Sequence, residues 1–119
     1  MSPRLRVHWE DGTSSPPCLE LAPCLPEPLL SVPRWIFNDP DVAIAEHVSL
    51  WTLRATLQEL QPRTMRVLLD RNMLMRCRPI LVVEYGAARY VVDGNHRATA
   101  HALLGDISVL AFVMRIEPG

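Results

Sequence analysis

With 119 residues, 49% of them hydrophobic and 21% charged, the chain has the length and balance of one ordinary globular domain with a modest core. A formal net charge of -1 supplies no overall attraction to DNA or to an anionic membrane, so affinity for polyanions has to come from a local patch. No apolar run approaches the roughly 20 residues that span a bilayer, and Arg4 and Arg6 are followed by Trp9, Glu10 and Asp11 rather than a signal-type stretch. No membrane partner is expected, and the chain reads as cytoplasmic.

Eight of the eleven prolines fall within the first 40 residues, and proline both removes a backbone donor and resists helix. Residues 1–46 are therefore expected to form an irregular proline-rich arm, ahead of a domain over residues 47–119. Inside the arm, Leu5, Val7 and Trp9 alternate with Arg4, Arg6 and His8 before the turn signal Asp11-Gly12, which predicts one short strand. Trp35, Ile36 and Phe37 are expected to anchor the far end of the arm on the core. The arm reads as a wrapping extension, with a lid or a partner-binding strand as the alternative. Cys18, Cys24 and Cys77 are odd in number and show no metal-like spacing, so free thiols are expected.

From His47 the pattern becomes regular. Val48, Leu50 and Thr52 would lie on one face of a strand, with Ser49, Trp51 and Leu53 on the other, and both faces look covered. Pro62 suits a first helical turn, after which Met65, Leu68, Leu69 and Met73 recur at helical spacing to about Leu74. Pro79 ends that element. Ile80 to Tyr85, Gly86, and Arg89 to Val92 predict a β-hairpin. A helix from about Asn95 to Leu104, closed by Gly105, and a strand from Ile107 to Ile116 complete the order β, α, β, β, α, β. The expected class is α+β, with helices packed on a small mixed sheet.

The informative string is Val91-Val92-Asp93-Gly94-Asn95-His96-Arg97-Ala98-Thr99-Ala100. It places a strand end, a glycine turn and a helix start in succession, where unpaired backbone N–H groups and the helix dipole attract an anion. Gly94 would let the backbone approach closely, while His96 and Arg97 add a titratable donor and a permanent cation suited to phosphate oxygens. The alternative is structural: Asp93 or Asn95 caps the helix, and His96 and Arg97 lie on a solvated face.

This string, the hairpin Pro79 to Val92 before it, and Leu104-Gly105 with Ile107 to Val113 after it resemble the ParB/sulfiredoxin superfamily. The resemblance covers about His47 to Ile116 and implies a single small ParB/sulfiredoxin-like domain in which Gly94, Asn95, His96 and Arg97 bind nucleotide phosphates, with Thr99 as a further candidate ligand. Sulfiredoxins carry a catalytic cysteine between the glycine and the histidine. Asn95 stands there in this chain, so sulfinic acid reduction is not expected. Chromosome-partitioning ParB proteins carry a Gly-Glu-Arg-Arg turn and a following helix-turn-helix domain, and this chain has neither. The Asp-Gly-x-His-Arg form is most similar to small ParB-like enzymes, among them free serine kinases and proteins called nucleases.

The resemblance thus implies a small phosphotransferase or phosphohydrolase that uses ATP or ADP, with CTP as a further candidate and Mg²⁺ as the metal, on a small-molecule substrate. Glu59, in the stretch after the first strand, and Asp93 are the candidate carboxylates for base or Mg²⁺ ligand, with His96 as a third catalytic candidate. The runner-up is a DNA-binding or ParB-like nuclease protein, and a third reading is a non-catalytic interaction module. Arg63, Arg66, Arg71, Arg76 and Arg78 read as a solvated helix face rather than a nucleic-acid groove, with Asp70 placed to pair with Arg66 and no aromatics interleaved for stacking. His8, His47, His101 and Cys77 have no ligand spacing, so no zinc site is expected.

Overall fold

The computed structural model describes residues 3–22, 24–30 and 44–118; Trp35, Ile36 and Phe37 lie outside them. The elements are β1 (Glu20–Leu21), α1 (Glu27–Leu30), β2 (Ala45–Ser49), β3 (Leu53–Ala55), α2 (Pro62–Leu68), α3 (Arg71–Leu74), β4 (Ile80–Tyr85), β5 (Ala88–Asp93), α4 (Asn95–Leu103) and β6 (Ser108–Ile116). The strands make one mixed sheet in the order β1-β3-β5-β4-β6-β2. Its β4–β5 hairpin is antiparallel, while β4 and β6 run parallel. This is the α+β class expected, and no helix of the described residues is long and apolar enough to cross a membrane.

Alternation within the strands assigns the two faces. Ile80 and Val82 of β4, Val91 of β5, and Val109, Ala111 and Val113 of β6 meet Met65 of α2 and Ala98 of α4 in the main core. The alternate residues Val83, Tyr90, Val92, Phe112 and Met114 gather on the opposite face with Leu25 and Leu29 around α1. Ile107, expected to open the inward series, instead precedes β6 and is 74% exposed.

The single strand expected from His47 is broken in two. Leu50–Thr52 form a 3-10 turn between β2 and β3, closed by the Thr52 hydroxyl donating to the carbonyl of Ser49 at 2.7 Å. Trp51 is thereby turned outward instead of covered. Three strands separate β2 from β3 in the sheet order. A flat sheet would hold them about 19 Å apart, whereas the turn spans only about 8 Å. The sheet must therefore roll up.

The helix expected from Pro62 to about Leu74 is also divided. Asp70 takes extended backbone angles, and its carboxylate accepts from the N–H of Asn72 at 2.9 Å, capping α3. Capping replaces the expected pairing with Arg66, which instead meets Glu10 at 3.2 Å and lies over the Trp9 ring.

The first half of the arm is built into the same core. Leu5 and Val7 are buried and alternate with exposed Arg4, Arg6 and His8. This segment folds back around Asp11-Gly12 through backbone bonds such as Leu5 N–H to Leu19 carbonyl and Ser15 N–H to Val7 carbonyl, both 2.8 Å. β1 then joins β3 in parallel. Cys18, Cys24 and Cys77 are free thiols. Leu5→Ala is expected to lower stability by about 2–5 kcal/mol, the range for a buried leucine truncated in a packed core, as read by urea denaturation. Leu30→Ala, at a side chain 69% exposed, should stay within about 0.5 kcal/mol; equally small effects would refute the arm's place in the core.

Candidate functional site

The turn after β5 is glycine for a steric reason. Gly94 has φ +99, and a Cβ there would sit 2.6 Å from Ile80 Cγ2 and 3.0 Å from an Arg97 guanidinium nitrogen. A side chain would meet both a left-handed backbone and an occupied space. Gly94 is also the residue preceding α4, and no side chain caps the helix. The capping alternative is thus not what forms: the Asn95 and Asp93 side chains are engaged elsewhere.

Asn95 is buried, at 7% exposure. Its Oδ1 accepts from the backbone N–H of Thr56 at 2.9 Å, and its Nδ2 donates to the Thr56 hydroxyl at 3.2 Å. That hydroxyl donates in turn to the carbonyl of Val91. The side chain therefore ties the end of β3 to the β5–α4 turn. Thr99 is fully buried, and its hydroxyl donates to the Asn95 carbonyl at 2.7 Å.

Arg97 also points into the protein's own framework. Its guanidinium donates to the carbonyls of Arg78 at 2.7 Å and Pro79 at 3.4 Å, and lies 3.5 Å from the carboxylate of Asp93. The sequence directs the side chains of Asn95, Arg97 and Thr99 at a phosphate; in the structure all three brace the turn. What the turn presents outward is backbone, since the first N–H groups of a helix have no intrahelical acceptor.

His96 is positioned by α2. The backbone N–H of Gln61 donates to His96 Nε2 at 3.0 Å, so Nε2 carries a lone pair and the neutral ring holds its proton on Nδ1. Partial burial holds the pKa of His96 below its ordinary value, because desolvation disfavours the imidazolium. The ring is thus neutral at neutral pH and suited to donate a hydrogen bond from Nδ1.

These residues open on a groove of about 420 Å³ at the end of β5, lined by Val92, Asp93, Gly94, Asn95 and His96 on one side and by Thr56, Leu57 and the α1 leucines Leu29 and Leu30 on the other. Asp93 stands at its rim with 46% of its side chain exposed. Glu59 is exposed on the loop between β3 and α2 and is not among the lining residues. Thr56 and the α1 leucines went unrecognised in the sequence. No local motif marks them, because they reach the turn only through sheet pairing and chain return. Among the described residues, no group of three or more His, Cys, Asp or Glu is assembled to hold a metal. Mg²⁺ held by one carboxylate and ligand phosphates needs no such group.

No protein-family model and no curated protein matches the chain. Among solved structures, the sulfiredoxin from Arabidopsis thaliana superposes with a TM-score of 0.54 at 22% identity, over 62% of this chain and 88% of that one. The chain has a ParB/sulfiredoxin-like fold. The residue after the Gly94 turn is Asn95, whose amide is consumed by Thr56.

The state of His96 is checked by pH. Its folded pKa lies below the ordinary 6.5, so the unfolded chain binds the proton more readily and stability should be fully present above about 6.5 and lost as pH falls toward the lowered value. NMR titration should place the His96 midpoint below 6.5. In urea denaturation at neutral and acidic pH, His96→Gln should flatten the slope while keeping an acceptor for Gln61; an unchanged slope would remove His96 as its source.

Proposed function

We propose that this chain binds a phosphorylated small molecule, foremost a nucleotide, in the groove at the Gly94 turn, and acts on it as a small phosphotransferase or phosphohydrolase. The observation that carries this reading is the uncapped N-terminus of a nine-residue helix, α4, facing a groove with a glycine at its edge. Backbone N–H groups of the first turn and the helix dipole would hold phosphate oxygens without a side-chain cation. The Nδ1–H of His96 would add a donor. Leu29, Leu57 and Val92 supply apolar surface for the body of a ligand whose phosphates lie at the turn, and about 420 Å³ falls in the range of small-molecule sites.

In this reading ATP or ADP is the donor, CTP a further candidate, and Asp93 the carboxylate that holds Mg²⁺ against the phosphates or accepts a proton from the acceptor hydroxyl. Mg²⁺ would neutralise phosphate charge beside Asp93. Arg97 supports the turn rather than the ligand. The DNA-binding reading has less support, since Arg66 is committed to Glu10 and Arg71 to Asp106, which breaks the arginine strip as a continuous path.

Calorimetry with ATP, ADP and CTP, with and without Mg²⁺, at about 100 μM protein, a concentration that captures micromolar to sub-millimolar affinity, is expected to give heat with at least one nucleotide. No heat with any of them would sink the nucleotide reading. With a turnover assay in hand, Asp93→Asn should lower the rate about 10²–10⁴-fold, the usual loss for a general base. A larger loss in Glu59→Gln would move that role to Glu59.

A further inference from the structure

A second cleft, of about 300 Å³, lies against the other side of α4, between α3, the start of β4 and β6. Its floor is apolar, with Leu74, Ile80 and Val109 all buried. Its walls carry three guanidinium groups, Arg71, Arg78 and Arg97, against one carboxylate, Asp106. A chain whose formal charge is -1 therefore gathers positive charge at this place, where a low-dielectric floor strengthens its field.

The polar groups are organised in a definite way. Asp106 receives Arg71 through two bonds, at 3.1 and 3.2 Å, and stands 2.8 Å from Nδ1 of His101. Hydrogen bonds from Arg71 and His101 hold the Asp106 carboxyl below its usual range. It is therefore ionised at neutral pH and can only accept, which puts a proton on Nδ1 of His101 and fixes the ring. Asp106 thus orients His101, whose ring lines the cleft with Nε2 outside this bond. Arg78 differs from the other two arginines. Its carbonyl is taken by Arg97, but among the described residues its guanidinium enters no ion pair, and the residue is exposed.

We propose that this cleft is a second ligand site, which takes a small organic anion whose carboxylate or phosphate is held by Arg78 and whose apolar body rests on Leu74, Ile80 and Val109. An amphipathic anion matches both halves of the lining, because an inorganic ion would leave the apolar floor wet and a neutral apolar molecule would leave Arg78 unused. The site does not rest on the nucleotide reading. The two grooves lie on different sides of α4, and the Arg97 side chain lines only this one.

The test is a ¹⁵N-resolved NMR titration of the full chain with hexanoate and, separately, with hexyl phosphate. At least one probe is expected to shift the His101, Ser108 and Val109 signals to saturation, and the better probe identifies the head group. Arg78→Ala keeps the carbonyl that receives Arg97 and removes only the exposed guanidinium, so the fold should persist while affinity falls about tenfold or more. The proposal is overturned if neither probe moves those signals up to about 10 mM, the limit of weak specific binding, if shifts are confined to Gly94–His96, or if Arg78→Ala binds like the parent. Shifts at His101 and Ser108 without nucleotide heat would leave this site standing alone.

Discussion

The hydrogen-bonded pair Asn95–Thr56 is the contact on which the arrangement around α4 depends. Both halves of the Asn95 amide are used, one on the Thr56 N–H and one on its hydroxyl. A buried amide left with either half unpaired would be costly, so the pair fixes the end of β3 against the β5–α4 turn. It also removes Asn95 from the service asparagine usually performs at a helix start. The helix begins instead at a glycine that has no side chain to offer, and its first turn stays open toward the groove.

Arg97 completes this design from below. Bonded to the carbonyls of Arg78 and Pro79 and lying near Asp93, it joins the strand end, the helix and the segment entering β4. Most of its hydrogen bonding goes to backbone carbonyls, acceptors that neither titrate nor carry a net charge. The turn is consequently held by its own side chains and presents backbone outward, a geometry that suits an anion through dipoles rather than through a formal positive charge. The opposite side of α4 has the reverse character, with arginine side chains over an apolar floor.

The rolled sheet explains why distant segments supply these walls. Because a three-residue turn joins strands that three others separate, the chain carries β3 around to the partner strand of β5, and Thr56 follows it to the turn. The arm reaches the same place from the other face: β1 extends the sheet beyond β3, and the residues after it bring α1 over Tyr90 and Val92. Roughly one wall of the groove is therefore made of residues remote in sequence from the motif it faces.

The sequence by itself determined the features that depend on neighbours along the chain. Alternation in 80–93 and 109–113 predicted the hairpin and the inward face of β6, since side chains in strands point by turns to opposite faces. Asp93-Gly94-Asn95-His96-Arg97 predicted a turn entering a helix, and Gly105 its close, because glycine marks positive φ. Alternation of Leu5 and Val7 with charged residues marked the arm's inward face. What only the tertiary structure decided were the choices among partners. Asp70 could pair with Arg66 or cap α3, and the break after Leu68 made it a cap. Trp51 looked covered, yet the corner required to roll the sheet turned it out. Asn95, Arg97 and Thr99 are polar residues of the string for which the family resemblance implied phosphate binding. Their acceptors and donors come from Thr56, Arg78, Pro79 and the helix backbone, and hydrogen-bond partners brought together by folding leave no periodic trace in the chain.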